Sequence, residues 1–112
     1  MKALVSHGPN QPFSLESVAD PIPGPGEAVA KILACGAGLT VQHVKAGRSP
    51  VPFPRILGHE ISAEIVETNG DCGNIKVGMP VTAYFYLTCG HCKFCLINRQ
   101  TLCKNFGGYI GR

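Results

Sequence analysis

The sequence predicts a small, mainly β domain with short helices and irregular connections. This prediction rests on a length of 112 residues, which allows one domain, and on a globular composition of 45% hydrophobic and 15% charged residues. The chain also contains 14 glycines and 9 prolines, which is typical of a β-rich domain with many turns. A helical bundle or a disordered tail fits this composition less well.

The first strands are predicted before residue 35. Residues 2–6 and 13–18 have short strand-like patterns, and the turn residues 7–10 join them. Residues 20–26 contain three prolines and two glycines, and because proline lacks a backbone donor this segment is predicted to be irregular. Residues 28–34 are mainly apolar and predict a largely buried strand.

A short helix is predicted at residues 40–46. Thr40 is a suitable N-cap residue, and Gly47 stands where glycine commonly ends a helix. Residues 49–54 contain three prolines and are therefore predicted to form a loop.

Two further strands are predicted in the second half of the chain. In residues 61–68 apolar and polar residues alternate, which places Ile61, Ala63 and Ile65 on one face of a strand. Residues 79–86 predict another strand, and the proline near its start places that strand at a sheet edge or a bulge.

Charge and hydropathy exclude several functional classes. The net charge is +3, and the Lys and Arg residues are scattered, so the sequence does not favour nucleic-acid binding. No apolar stretch approaches the roughly 20 residues of a membrane helix, and the N-terminus lacks the pattern of a signal peptide. Six cysteines without a secretion signal favour metal binding, so we expect a protein of the reducing cytoplasm.

The strongest chemical pattern is a run of four cysteines near the C-terminus. Cys89, Cys92 and Cys95 are separated by two residues each, and Cys103 follows. This spacing lets tight turns direct four thiolates at one tetrahedral zinc ion, and a closed shell leaves no position for substrate. We therefore expect one structural zinc per chain. The alternatives are redox cysteines or disulfides, and His91 inside the run is a possible rival ligand.

The motifs that precede these cysteines occur in a recognisable order. They read Pro23-Gly24-Pro25-Gly26-Glu27-Ala28, then Cys35-Gly36-Ala37-Gly38-Leu39-Thr40-Val41-Gln42-His43, Leu57-Gly58-His59-Glu60 and Lys76-Val77-Gly78-Met79-Pro80-Val81. Together they resemble the N-terminal, GroES-like catalytic domain of zinc-containing medium-chain alcohol dehydrogenases, over nearly the whole chain. The resemblance implies a bent, partly open β-barrel at residues 1–112, with a zinc-binding loop at 87–105 that we name the four-cysteine lobe.

The resemblance also implies the nature of the parent enzyme. Family members normally continue into a Rossmann domain that binds NAD or NADP, they act on small alcohol or carbonyl substrates, and many are homo-oligomers. The glycines at residues 107–112 do not form a dinucleotide-binding fingerprint, so we expect the Rossmann domain to be absent from this chain. The chain is then part of an oxidoreductase and is expected to be inactive alone.

A second, catalytic zinc is implied by the family, and this sequence departs from the family at that site. His59 matches the histidine ligand of the Gly-His-Glu motif, and the Glu60 carboxylate beside it can tune or transiently occupy the site. The family's cysteine ligand is replaced by Gly38, and its aspartate by Val41. Cys35 could substitute only if it re-aimed, and it is otherwise expected to be a small buried apolar residue.

Two residues of the predicted helix match the family's proton path. Thr40 and His43 correspond to a hydroxyl and a histidine that pass the alcohol proton to solvent. Each has a simpler interpretation, namely a helix N-cap for Thr40 and a solvated helix histidine for His43. His59 likewise could be a loop histidine that caps a strand.

Three hypotheses about function remain open at this point. The parent enzyme is either a zinc-dependent NAD(P) alcohol dehydrogenase or a relative without catalytic zinc that transfers hydride, for example to an activated carbon–carbon double bond. Gly38 favours the relative without zinc, whereas His59, Glu60, Thr40 and His43 favour the dehydrogenase, which we prefer. The third hypothesis is a standalone binding module stabilised by zinc.

Overall fold

The computed structural model describes residues 1–111, and most of its regular structure is β-strand. The mainly β prediction with short helices is therefore confirmed. The strands are β1 Lys2–Ser6, β2 Ser14–Ser17, β3 Ala28–Gly36, β4 Arg55–Ile56, β5 Glu60–Thr68, β6 Pro80–Thr82, β7 Tyr86–Leu87 and β8 Gly108–Tyr109. The helices are α1 Leu39–Lys45, α2 Lys93–Leu96 and a 3₁₀ turn at Gln100–Leu102.

The strands form three separate antiparallel sheets. Their orders are β2-β1-β4, β3-β5-β6 and β7-β8. In the part of the chain that the structure describes, the sheets do not close into a barrel. This agrees with the prediction of a partly open barrel. None of the described helices is long and apolar enough to cross a membrane.

The buried hydrophobic residues of the described chain come from β1, α1, β5 and the four-cysteine lobe. The alternation predicted for β5 is confirmed, because Ala63 and Ile65 are buried and Ile61 on the same face is half-buried. From α1, Val41 and Val44 pack into the same core, and the Val44 side chain is only 1% exposed. Val41 lines an apolar cavity with Leu4 of β1 and Cys35 of β3, and the Asn10 N–H donates to the Lys45 carbonyl at 2.6 Å, so α1 lies beside β1 and the end of β3.

The prediction of a largely buried strand at residues 28–34 is wrong. The strand forms and extends to Gly36, but Ile32 is 51% exposed and Leu33 is 60% exposed. β3 is an edge strand that pairs only with β5, and the described residues do not cover these two side chains.

The prediction of one continuous strand at residues 79–86 is also wrong. This segment is split into β6, which pairs with β5, and β7, which pairs with β8 in another sheet. Because the two halves have different partners, the chain bends at residues 83–85 between them. The edge position predicted from the proline is confirmed, since Pro80 begins β6 at the end of its sheet.

The helix α1 begins one residue earlier than predicted. Its N-cap is Gly38, so Thr40 lies inside the first turn and the prediction of Thr40 as the N-cap is wrong. Gly47 does end the helix, with φ of 72° and its N–H donating to the Val44 carbonyl at 3.0 Å.

Candidate metal site and active site

The four predicted cysteine ligands lie together. The sulfur atoms of Cys89, Cys92, Cys95 and Cys103 are all within 4.8 Å of one another. The Cys92–Cys95 and Cys89–Cys103 sulfur pairs are each 3.6 Å apart. All four thiols are free, so the structure does not support the disulfide alternative for them.

Local sequence explains how these cysteines converge. Gly90 has φ of 73°, a left-handed conformation that suits glycine, and it turns the chain between the first two ligands. Cys92 is the N-cap of α2 and Cys95 lies in that helix, so one helical turn brings their sulfurs to the same side. Cys103 follows the 3₁₀ turn and accepts a hydrogen bond from the Cys89 N–H at 3.4 Å.

The thiols differ in their readiness to ionise. The backbone N–H of His91 stabilises the Cys89 thiolate and lowers its pKa to about 6. The pKa of Cys92 is also lowered, chiefly by the backbone N–H of Lys104. Burial of Cys95, together with its thiol neighbours, raises its pKa to about 12. A cation bound among the four sulfurs must therefore displace a proton from Cys95.

This donor set fits zinc. A tetrahedron with zinc–sulfur distances of about 2.3 Å separates its sulfurs by about 3.8 Å, close to the two 3.6 Å pairs. His91 is exposed, and its Nδ1 lies 2.7 Å from the Cys89 carbonyl oxygen, outside the group of sulfurs. Four sulfurs complete a closed shell, so this site has the character of a structural metal centre.

A second site surrounds His59. This residue stands in the connection between β4 and β5, and its Nδ1 is buried without a hydrogen-bond partner among the described residues. The centroid of the Phe85 ring lies 5.0 Å from the centroid of the imidazole. A buried ring nitrogen without a partner is costly, so this atom is available for a ligand or a substrate.

Glu60 begins β5 and lies over two glycines. It pairs with Gly36 of β3, and its carboxylate also reaches Gly38, so that a Cβ on either glycine would overlap the carboxylate. Gly38 has an ordinary φ of −69°, which any residue can adopt. The glycine at position 38 therefore provides space for Glu60 rather than a special backbone conformation. We call His59, Glu60, Gly36, Gly38 and the first turn of α1 the His59 pocket.

Cys35 lies on the opposite face of β3 from this carboxylate. Neighbouring residues of a strand point to opposite faces, and the Cys35 thiol packs against Gly58, where a Cβ would meet the sulfur at 2.5 Å. Cys35 also lines an apolar cavity of about 160 Å³ together with Leu4 and Phe13. It is exposed, so the expectation that it would be buried is wrong.

Within residues 1–111, the His59 pocket does not supply a complete ligand set for a catalytic zinc. Gly38 has no donor atom, and Cys35 and Glu60 lie on opposite faces of the sheet. Within residues 1–111 the four-cysteine group is the only set of three or more candidate ligands close enough to share a metal ion. A zinc held only by His59 and Glu60 would lack the ligand count that such sites need.

Thr40 and His43 both lie on α1, which begins directly after Gly38. They are three residues apart and therefore on the same side of the helix, and both are half-buried. No hydrogen bond joins their side chains to each other or to Glu60 among the described residues. The structure thus places a hydroxyl and an imidazole on one helical face next to the pocket.

Sequence reasoning missed several residues around His59. Phe85 was assigned only to a strand, yet its ring faces the imidazole and stacks on Tyr109 at 5.9 Å. The sequence pattern also did not show that the Glu60 carboxylate lies against Gly36. The only available signal was the glycine spacing at positions 36 and 38, which does not by itself show what fills the space.

Comparison with known proteins identifies the family. Residues 24–112 match the family described as the alcohol dehydrogenase GroES-like domain. The chain is 34% identical over 112 residues to the L-threonine 3-dehydrogenase of Cutibacterium acnes, covering 96% of this chain and 32% of that protein. It is 36% identical over 117 residues to the L-threonine 3-dehydrogenase of Streptomyces avermitilis, covering 100% of this chain and 34% of that protein.

Solved structures agree in fold. A cobalt- and zinc-bound thermostable alcohol dehydrogenase from Pyrobaculum aerophilum superposes with a TM-score of 0.89 at 32% identity, covering 99% of this chain and 34% of that chain. A zinc-binding dehydrogenase from Sinorhizobium meliloti, bound to NADP, has a TM-score of 0.82 at 33% identity, covering 98% of this chain and 32% of that chain.

The chain therefore belongs to the alcohol dehydrogenase GroES-like domain family, and its relatives are dehydrogenases. The resemblance inferred from the motifs and the GroES-like fold prediction are both confirmed. The chain spans about a third of the length of the relatives that it matches.

Proposed function

We propose that these residues form the catalytic-domain part of a zinc-containing, NAD(P)-dependent alcohol dehydrogenase-like oxidoreductase. The family match and the dehydrogenase relatives support this assignment. The observation that carries it is a pocket in which a buried, unpartnered His59 Nδ1 lies beside Glu60 and the first turn of α1. The substrate class is a small alcohol or carbonyl compound, and the cofactor-binding Rossmann domain lies outside these residues.

The four-cysteine lobe, residues 87–105, holds one structural zinc per chain in this proposal. The compact group of free thiols supports it. When bound, this zinc closes the lobe and contributes folding free energy, but it takes no part in chemistry because its shell is full. A protein that keeps four thiols reduced suits the cytoplasm, where we place it. Oligomers of identical subunits are the expected assembly.

Thr40 and His43 are proposed to carry the proton of the alcohol. A bound NAD or NADP supplies the hydride acceptor in such reactions. The Thr40 hydroxyl would accept the alcohol proton and give its own proton to His43, which passes it to solvent, and the hydride would go from the substrate carbon to the bound cofactor. Their shared helical face and half-buried position support this path. His59 and Glu60 orient the substrate oxygen in this scheme.

A second candidate function is hydride transfer without catalytic zinc, as in a reductase of carbon–carbon double bonds activated by a carbonyl. One observation favours it, namely that the Glu60 carboxylate fills the space above Gly38 where the family has its cysteine ligand. In this candidate, His59 donates a hydrogen bond to the substrate carbonyl, and no metal is needed in the pocket.

The test compares the 112-residue chain with the product of its complete reading frame. We expect no NAD(P)-dependent turnover from the 112 residues alone, because hydride transfer needs the nicotinamide ring held near the substrate carbon. The complete product should oxidise alcohols, and His59→Ala should remove that activity while His91→Ala, which alters an exposed histidine, retains it.

Three outcomes would contradict parts of the proposal. Cofactor-dependent turnover by the 112-residue chain that vanishes in His59→Ala would show that these residues suffice. Activity of the complete product on activated double bonds but not on alcohols would favour the second candidate. A reading frame that ends at Arg112, together with no turnover, would favour a zinc-stabilised binding module.

A further inference from the structure

The two ends of the four-cysteine lobe are joined directly below it. β7 pairs with β8, and the Gly107 N–H donates to the Leu87 carbonyl at 2.8 Å. One step further along, the Ile110 N–H donates to the Phe85 carbonyl at 2.9 Å. We call residues 85–87 and 107–111 the lobe base. The lobe is thus a loop whose closure depends on a short two-stranded ladder.

The lobe base also contacts the connection that carries His59. The Gly58 N–H donates to the Gly111 carbonyl at 2.9 Å, and Arg55 Nη2 donates to the Tyr109 carbonyl at 3.4 Å. Gly111 has φ of 64° and lies so near Gly58 that a Cβ on Gly111 would overlap the Gly58 carbonyl. The backbone immediately before His59 is therefore held by the segment that ends the lobe.

Aromatic rings continue this contact to the imidazole. The Phe85 ring lies 5.0 Å from the His59 ring and is stacked on Tyr109 at 5.9 Å between centroids. Phe85 and Tyr109 belong to opposite sides of the lobe base, so a change in their pairing would move the ring that faces His59. The buried His59 Nδ1 has no hydrogen-bond partner among the described residues, so the Phe85 ring is the contact that can hold the imidazole in place.

We propose that the lobe base is a positioning element, through which zinc in the four-cysteine lobe fixes the orientation of His59. Zinc gathers residues 89–103 and so holds the two ends of the loop together. The ladder then keeps Gly111 against Gly58 and Phe85 against His59. The proposal rests on the zinc occupancy stated in the proposed function, and it assigns positioning roles to Phe85 and Gly111.

The first experiment is amide hydrogen exchange on the 112-residue chain, with one zinc bound and after chelation. Zinc removal should speed exchange at the Gly58 and Ile110 amides by roughly tenfold or more, because their acceptors lie in the lobe base. The Asn69 amide, which donates to the Glu27 carbonyl at 2.9 Å at the end of the β3–β5 pair far from Glu60, should change little. Faster exchange at Cys103 with unchanged Gly58 would overturn the proposal.

A second experiment keeps zinc bound and alters the contact itself. Gly111→Ala introduces a Cβ that collides with Gly58, whereas Gly78→Ala, at a φ of 85°, meets nothing within 4 Å and reproduces only the backbone strain. Both variants should retain one zinc. Gly111→Ala alone should weaken Gly58 protection by roughly tenfold and shift the NMR signal of the His59 ring.

The outcomes separate this proposal from the proposed function. A chain that binds no zinc overturns both. A chain that binds one zinc, but in which Gly111→Ala and Gly78→Ala give equal Gly58 protection and equal His59 signals, overturns only the positioning role. The His59 signal distinguishes positioning from a general loss of stability, because the Gly78→Ala control carries a similar backbone strain without the contact.

Discussion

The four-cysteine lobe and the His59 pocket are assembled in opposite ways. All ligands of the lobe come from residues 89–103, and two short helical turns plus one glycine bend bring four sulfurs within 4.8 Å. The pocket combines the end of β3 and the adjacent start of α1 with the start of β5, which comes about twenty residues later in the sequence. Register and packing, rather than local turns, bring its parts together.

This difference affects how each site tolerates sequence change. In the lobe each cysteine supplies one of the four ligands, so loss of any one of them would leave the metal shell incomplete. In the pocket, the absence of a side chain at Gly38 is compensated by the Glu60 carboxylate, which occupies the free space. A distributed site can thus change its chemistry through one glycine while the surrounding fold stays the same.

The largest expected effect comes from removing two lobe ligands. In Cys92→Ser with Cys95→Ser, bound zinc should fall from one per chain to none, because two thiolates cannot hold it tightly. The lost binding free energy is on the order of 10 kcal/mol in apparent terms at neutral pH, so the melting temperature should also fall steeply. Elemental analysis and thermal unfolding measure the two effects.

The matched control replaces a cysteine outside the lobe. Cys72→Ser should retain the zinc, since that thiol lies 3.2 Å from the Glu27 carbonyl oxygen and not among the four sulfurs. Zinc retained in the double variant at one per chain would mean that other residues bind it. The claim that all zinc ligands of the lobe come from residues 89–103 would then be wrong.

Sequence pattern predicted the local features well. The two-residue period of β5 correctly placed Ala63 and Ile65 inside, and the cysteine spacing correctly grouped four thiols. Pattern failed for β3, because an apolar run does not reveal whether another element covers it. It failed again at residues 79–86, where two different partner strands divide one continuous apolar segment.

The His59 pocket was predicted only in part. The motif identified His59 and Glu60, but the contact of Glu60 with Gly36 and Gly38 depends on the β3–β5 register. That register includes two irregular steps along the sheet, which no alternation of side chains specifies. The direction in which Cys35 points follows from the same register, so its distance from Glu60 could not be foreseen.

The number of protons that the four thiols release when zinc binds should depend on pH. The pKa of Cys89 is lowered to about 6, so Cys89 is protonated below that pH and ionised above it. Cys95, whose pKa is raised to about 12, is protonated throughout and would release its proton to solvent whenever the metal binds. Protons released per zinc should therefore fall by about one as pH rises through 6, and zinc affinity should weaken as pH falls.

Calorimetry in buffers of different ionisation enthalpy measures this release. The pKa of Cys92 is also lowered, chiefly by the backbone N–H of Lys104, so this thiol too ionises more readily than a free cysteine. Cys35→Ser, which alters a thiol outside the lobe, should leave the curve unchanged. A release that stays constant between pH 5 and pH 8 would contradict the unequal ionisation of the thiols.

The smallest expected effect is the coupling between Gly38 and Glu60 in the His59 pocket, which a double-mutant cycle measures. Gly38→Ala should destabilise the chain by about 1 kcal/mol, because alanine is a poor N-cap and its Cβ displaces the Glu60 carboxylate. In a Glu60→Ala background the carboxylate is gone, so only the N-cap part of the cost should remain. The coupling between the two positions, measured by urea unfolding, should be about 0.5 kcal/mol or more. Equal costs in both backgrounds would mean that the carboxylate does not fill position 38. The second candidate function, hydride transfer without catalytic zinc, would then lose the one observation that favours it.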